Sequence, residues 1–174
     1  MFHLIGAALP EDPRVSVGAK ALTGEGYKGH VFWDTELYML PFYLHTHPPS
    51  ARALLMYRYH TLDAARQRAR AMGYRGALYA WESTDTGEEA TPESIIGFSG
   101  EPVPIYTGKM AHHVDAAVVY AIWKYWESTH DREFMAEAGT EIVLEVARFW
   151  ASRVERDAAG AFHIRHVLGP DEYH

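Results

Sequence analysis

The chain has 174 residues, 48% of them hydrophobic and 22% charged, enough to bury a sizeable core without a disulfide or metal staple. Its 16 Lys and Arg against 23 Asp and Glu leave a formal net charge of −7, the wrong sign for a protein that follows a phosphate backbone, so nucleic acid is excluded as a partner. With no Cys, disulfide frameworks, thiolate zinc sites and thiol catalysis are excluded together.

In chain order, the apolar run at 4–9 lacks a basic flank and is too short for a signal segment or a membrane span. No membrane partner and a cytoplasmic location are therefore expected. Residues 15–17 read as a brief strand. Gly24-Glu25-Gly26-Tyr27-Lys28-Gly29 has G-x-G-x-x-G spacing, but His45-Thr46-His47-Pro48-Pro49 further on offers no acid for a ribose, and no parallel sheet surrounds it. It reads as a Gly-rich loop entering a helix. Asp34 can cap that helix, which runs through Tyr43 with a kink at Pro41. After Pro48-Pro49, Ser50 can cap a helix whose apolar positions Leu55, Tyr59, Leu62, Ala65, Ala69 and Met72 recur every three or four residues up to Gly73. A further helix is expected from Ala111 to about 128–130, with Val114, Ala117, Val118, Ala121, Ile122 and Tyr125 on one stripe. Asp131 can cap a short piece, and Thr140 a last helix carrying Val143, Val146, Ala147, Trp150 and Val154. Residues 162–164 read as one short extended piece. The fold class is therefore all-α, with long connections at 10–33 and 73–110 whose Gly, Pro, aromatic and acidic residues suit loops that line a site.

Three places could carry chemistry. Phe32-Trp33-Asp34 is either an aromatic anchor with an N-cap or a sugar platform, the indole covering the C–H face of a pyranose while the carboxylate accepts two hydroxyl hydrogen bonds. The acidic stretch from Trp81 and Glu82 to Glu89 lacks the alternating oxygen ligands of a calcium loop. None of the 11 His residues has the i, i+4 spacing with Glu of a zinc protease, so no metal is expected. Gly169-Pro170-Asp171-Glu172-Tyr173-His174 presents two consecutive acids after a turn. On spacing alone it is an exposed polar end.

Taken together, these segments resemble the inverting α-glucoside phosphorylases of glycoside hydrolase family 65, the family of maltose, trehalose, kojibiose and nigerose phosphorylases. The resemblance is carried by Ala19-Lys20, Leu22-Thr23-Gly24-Glu25-Gly26-Tyr27, Gly29-His30-Val31-Phe32-Trp33-Asp34-Thr35-Glu36, Tyr74-Arg75-Gly76-Ala77, Trp81-Glu82-Ser83, Ala147-Arg148-Phe149-Trp150 and Gly169-Pro170-Asp171-Glu172-Tyr173-His174. It implies an (α/α)6 barrel around a glucose pocket, with Glu172 as general acid and inorganic phosphate as the attacking co-substrate, without a cofactor. It also implies that Trp33 and Asp34 hold the transferred glucose, with Trp150 a weaker partner there, and that Trp81 and Glu82 lie near the acceptor side of the disaccharide. The alternatives are a hydrolase of the same family and a non-catalytic sugar-binding fragment. About five helical segments, set against the twelve of such a barrel, imply that 1–174 is a partial catalytic domain. The family's preceding β-sandwich and following small β domain are expected to be absent from it. An open half-barrel exposes its inner face, so a homo-oligomer is expected.

Overall fold

The computed structural model describes residues 1–170. Helix α1 (Phe2–Ala7) lies against the next helix, where the Tyr43 hydroxyl donates to the Leu4 carbonyl at 2.6 Å. Thr35–Met39 form one π-helical turn that runs straight into α2 (Leu40–Thr46), with the Leu40 N–H reaching back to the Thr35 carbonyl. Pro41 has no N–H to donate and would crowd a carbonyl one turn back, and the widened turn ahead of it accommodates both.

The helix expected over 50–72 is two helices, α3 (Pro48–His60) and α4 (Leu62–Ala71). It begins earlier than expected because Pro suits a first turn, where no N–H partner is needed. Ser50 caps nothing, and its hydroxyl pairs instead with His47 Nδ1 at 2.9 Å. The break falls at Thr61, whose hydroxyl folds back onto the Tyr57 and Arg58 carbonyls at 2.9 and 3.4 Å and competes with the backbone ladder.

The connection over 73–110 is not bare loop. It holds an antiparallel hairpin, β1 (Ser94–Ile96) with β2 (Pro102–Pro104), in which Ile95 faces Val103, followed by a single turn, α5 (Thr107–Met110). Helix α6 (Val114–Thr129) ends at His130 in the left-handed conformation. Asp131 caps α7 (Arg132–Phe134) as expected, its Oδ1 accepting the Phe134 N–H at 2.9 Å. A second π-helical turn, Met135–Gly139, joins α7 to α8 (Thr140–Arg153), so Thr140 sits inside a continuous helical run rather than capping it. A second hairpin pairs β3 (Glu155–Arg156) with β4 (Phe162–His163), while 15–17 form no strand.

Helices α3 and α6 meet at the centre, flanked by α2 and α8, and bury Leu40, Leu54, Leu55, Val118, Ile122 and Ile142 to 3% exposure or less. At about 1.5–3 kcal/mol per fully buried large side chain, this contact dominates the stability of the domain. Residues 77–81 thread through the core as an extended segment, every one of them buried. Buried backbone must find partners, and each element nearby supplies one. The Ala77 N–H donates to Glu145 O of α8 at 3.1 Å, Leu78 to Ala65 O of α4 at 3.0 Å, and Tyr79 to Asp115 Oδ1 of α6 at 2.8 Å. Entry to this segment requires Gly76: its φ is +73°, and a Cβ there would overlap the Glu145 carbonyl and the Phe149 nitrogen.

Candidate functional site

Val31 and Ser83 exchange backbone hydrogen bonds of 2.8 and 3.0 Å, an isolated antiparallel bridge between segments 52 residues apart. That bridge sets the turn before α2 beside the end of the threaded segment and brings Trp33 to Trp81, ring centres 6.4 Å apart at 37°. With Ala19, Tyr27, Phe32, Asp34 and Tyr38 the two indoles line a cleft of ≈ 200 Å³. Enclosing pockets for drug-sized ligands run to about 300–1,000 Å³, so this one suits a single small polar ligand. Asp34 is half-buried at its edge. Burial raises its pKa and the nearby Glu36 charge pushes the same way, while a bond from its own backbone opposes them. The near rim is the turn Gly26–Gly29, where Tyr27, Lys28 and Gly29 are all left-handed. Two non-glycine residues in that region cost on the order of 1–3 kcal/mol each. The Tyr27 ring, packed edge-on to Phe32 at 5.1 Å and under Lys20 Nζ at 5.8 Å, helps to hold them there.

The cleft floor rests on buried charge. Arg58 and Glu36, each 1% exposed, make a two-pronged pair at 2.7 and 2.9 Å, and a guanidinium nitrogen also donates to Phe32 O at 3.2 Å. Burial alone would favour the neutral guanidine, but the Glu36 carboxylate outweighs it and raises the Arg58 pKa. The Trp81 side is held by Glu89, whose carboxylate accepts the N–H groups of Trp81, Glu82 and Thr91 at 2.9, 3.2 and 3.2 Å and pairs with Arg68 at 3.0 Å. Glu82 itself is engaged, Oε1 lying 2.6 Å from His30 Nδ1.

The whole chain, residues 1–174, matches the central catalytic domain of glycosyl hydrolase family 65. The chain belongs to that family. It is 54% identical over 175 residues to a kojibiose phosphorylase of Caldanaerobacter subterraneus subsp. tengcongensis, covering 100% of this chain and 23% of that protein. It is 43% identical over 159 residues to a kojibiose hydrolase of Flavobacterium johnsoniae, covering 91% of this chain and 22% of that one. A solved structure of a candidate kojibiose phosphorylase from the human microbiome superposes with a TM-score of 0.85 at 35% identity, over 98% of this chain and 24% of that chain. The family 65 chain thus spans about a quarter of the length of these relatives, and its helices are part of an (α/α)6 barrel.

The structure brings Trp33, Asp34 and Trp81 together in one cleft, with Glu82 one residue along and turned to His30. Trp150 lies elsewhere, on α8, lining an apolar groove of ≈ 460 Å³ with Val119, Tyr120 and Trp123 of α6. Glu172 lies outside the described residues. Among the described residues before it, the Leu168 N–H donates to Met110 O at 2.9 Å and buried Arg153 donates to Arg165 O. Sequence reading passed over Tyr27, Tyr38, Glu89 and the Arg58–Glu36 pair. The one available signal was the spacing of Arg58, three residues after Leu55 and four before Leu62 of the apolar stripe. Among the described residues no group of three or more His, Asp or Glu side chains is placed to share a metal ion, and no helix is long and apolar enough to cross a membrane.

Proposed function

We propose that this chain acts within a longer polypeptide that cleaves an α-glucosidic disaccharide by inverting phosphorolysis. The transferred glucose sits in the cleft with the Trp33 indole face against its ring and Asp34 accepting hydroxyl hydrogen bonds, and Trp81 and Glu82 lie towards the acceptor sugar. Glu172 protonates the glycosidic oxygen while inorganic phosphate attacks the anomeric carbon from the opposite face. The C–O bond to the leaving sugar breaks as the C–O bond to phosphate forms, giving β-glucose 1-phosphate and the free acceptor sugar. Phosphate is already an anionic nucleophile, so one catalytic carboxyl suffices where an inverting hydrolase needs a second to activate water. The observation that carries this reading is the likeness along the full chain to a kojibiose phosphorylase at 54% identity, and a half-buried carboxylate lining one cleft with two indoles supports it. Kojibiose is accordingly the first substrate to try.

Hydrolysis is the second reading, favoured by the 43% identity to a kojibiose hydrolase. The full-length protein, supplied in turn with kojibiose, nigerose, trehalose and maltose, separates the two. Phosphorolysis releases β-glucose 1-phosphate only when phosphate is present, whereas equal glucose with and without phosphate rejects it. Glu172→Gln removes the proton donor and is expected to lower the rate by a factor of about 10² to 10⁴ with sugar binding kept. A Gln variant at the parental rate rejects Glu172 as the acid. The bare α6–α8 groove, with Trp123 51% exposed, supports a further surface packing there, so the isolated 174-residue chain is expected to self-associate.

A further inference from the structure

The two indoles rest on a side chain that the chemistry above does not use. His113, the last residue before α6, sets its ring 4.7 Å from Trp33 and 5.5 Å from Trp81, edge-on to both at 78° and 67°. Both ring nitrogens are closed off from solvent, and neither makes a hydrogen bond of acceptable geometry. Leaving a buried polar atom idle is costly, so a fold that needed only an aromatic spacer would be served better by Phe. The polar group that acts on this imidazole is the main chain of Leu168, which favours its charged form, while burial prevails and lowers its pKa. Leu168 is 3% exposed and tied by its N–H to Met110, three residues before His113. The ring therefore lies against the cleft wall, and the segment that continues through Gly169-Pro170 is tied to Met110, three residues before it.

We propose that His113 is a positioning residue: its idle ring N–H donates to a main-chain carbonyl of residues 168–170 once sugar is bound, setting the separation between the indole platform and the acid-bearing segment. This rests on the reading of Trp33 and Trp81 as the sugar cleft and Glu172 as the acid. Hydrogen bonds of this kind are commonly long in a ligand-free site and tighten in the substrate complex. A neutral imidazole carries one such donor, so the assignment needs no change of charge.

Three variants of the full-length protein test it. His113→Phe keeps the edge-on packing and loses both nitrogens, His113→Asn returns an amide N–H near the Nδ1 position, and His113→Gln returns one near Nε2. Cleavage is counted as glucose plus glucose 1-phosphate over a range of kojibiose concentrations, beside a thermal melt. The expected result is that Phe lowers kcat about tenfold, the worth of one lost hydrogen bond, with KM within about twofold and the melt preserved, and that either Asn or Gln regains most of the rate. Parental kcat in the Phe variant overturns the proposal, and so do Asn and Gln variants as slow as Phe. Because both products are counted, a parent that cleaves without phosphate rejects phosphorolysis alone and leaves the His113 comparison readable.

Discussion

Glu36→Gln is the perturbation whose magnitude the structure constrains best. Arg58 and Glu36 are both 1% exposed, and their two contacts, 2.7 and 2.9 Å, are short enough to be charge-assisted. Removing the negative partner leaves a guanidinium in the core beside two phenol rings, Tyr57 and Tyr79, with its centre 5.4 and 5.6 Å from theirs. Breaking a buried pair in this way costs about 3–5 kcal/mol. Gln still accepts one hydrogen bond, which places the variant at the lower end, about 3 kcal/mol, or roughly 10²-fold in an opening equilibrium. Hydrogen exchange on peptides spanning 32–46 of the full-length protein reads that local opening directly. The same loss frees Phe32 O, which Arg58 holds at 3.2 Å, so the KM for disaccharide is expected to rise with it. Replacing both partners with apolar residues, Glu36→Leu with Arg58→Met, removes both desolvation costs and should exchange more slowly than Glu36→Leu alone. Exchange in Glu36→Gln within about threefold of the parent would refute the reasoning, since a well-compensated pair could not be lost so cheaply.

Trp33→Ala and Asp34→Asn should weaken glucose binding, measured by titration, far more than they lower the melting temperature. Asp34 makes no capping bond with its side chain, so the loss of about 0.5–2 kcal/mol that a true cap would show should be absent. Gly76→Ala should destabilise by about 3 kcal/mol through left-handed strain and overlap with α8, and should show as reduced soluble yield and a lower melt. His112, buried between Tyr74 and Phe149, has its pKa lowered by burial from 6.5 to about 4, against a bond to Lys109 O that works the other way. The unfolded chain therefore binds more protons between those values. The contribution of His112 is fully present above about pH 6.5 and is lost as pH falls towards 4. Melts of the parent and of His112→Phe across pH 7 to 4 check this, the variant losing the part of the slope that belongs to His112.

Local chemistry was legible where it acts over one or two helical turns. The apolar stripe of α6, the Asp131 cap and the all-α class follow from spacing and side-chain type, because a helix repeats every 3.6 residues whatever surrounds it. Family membership was legible too, since the motifs from Ala19-Lys20 to His174 stand in the family's order. The two π-helical turns, the break at Thr61 and the β1–β2 hairpin were not, for each turns on which of two local hydrogen-bond patterns the packing around it selects.

The cleft shows the division most clearly. By itself the sequence determined that a Trp-Asp pair precedes a helix and that a second Trp heads an acidic stretch, and it left open whether the pair is anchor or platform and whether the stretch lines a site or is a solvated turn. The tertiary structure decided that the two meet, because the Val31–Ser83 bridge and the threading of 77–81 between α4, α6 and α8 are long-range backbone pairings with no period to announce them. It likewise placed Trp150 in a different groove, and His113 beneath both indoles. Spacing along a chain reports only neighbours within a turn or two, whereas a site built from residues 33, 34, 81 and 113 exists only once buried N–H groups have found their partners across the fold.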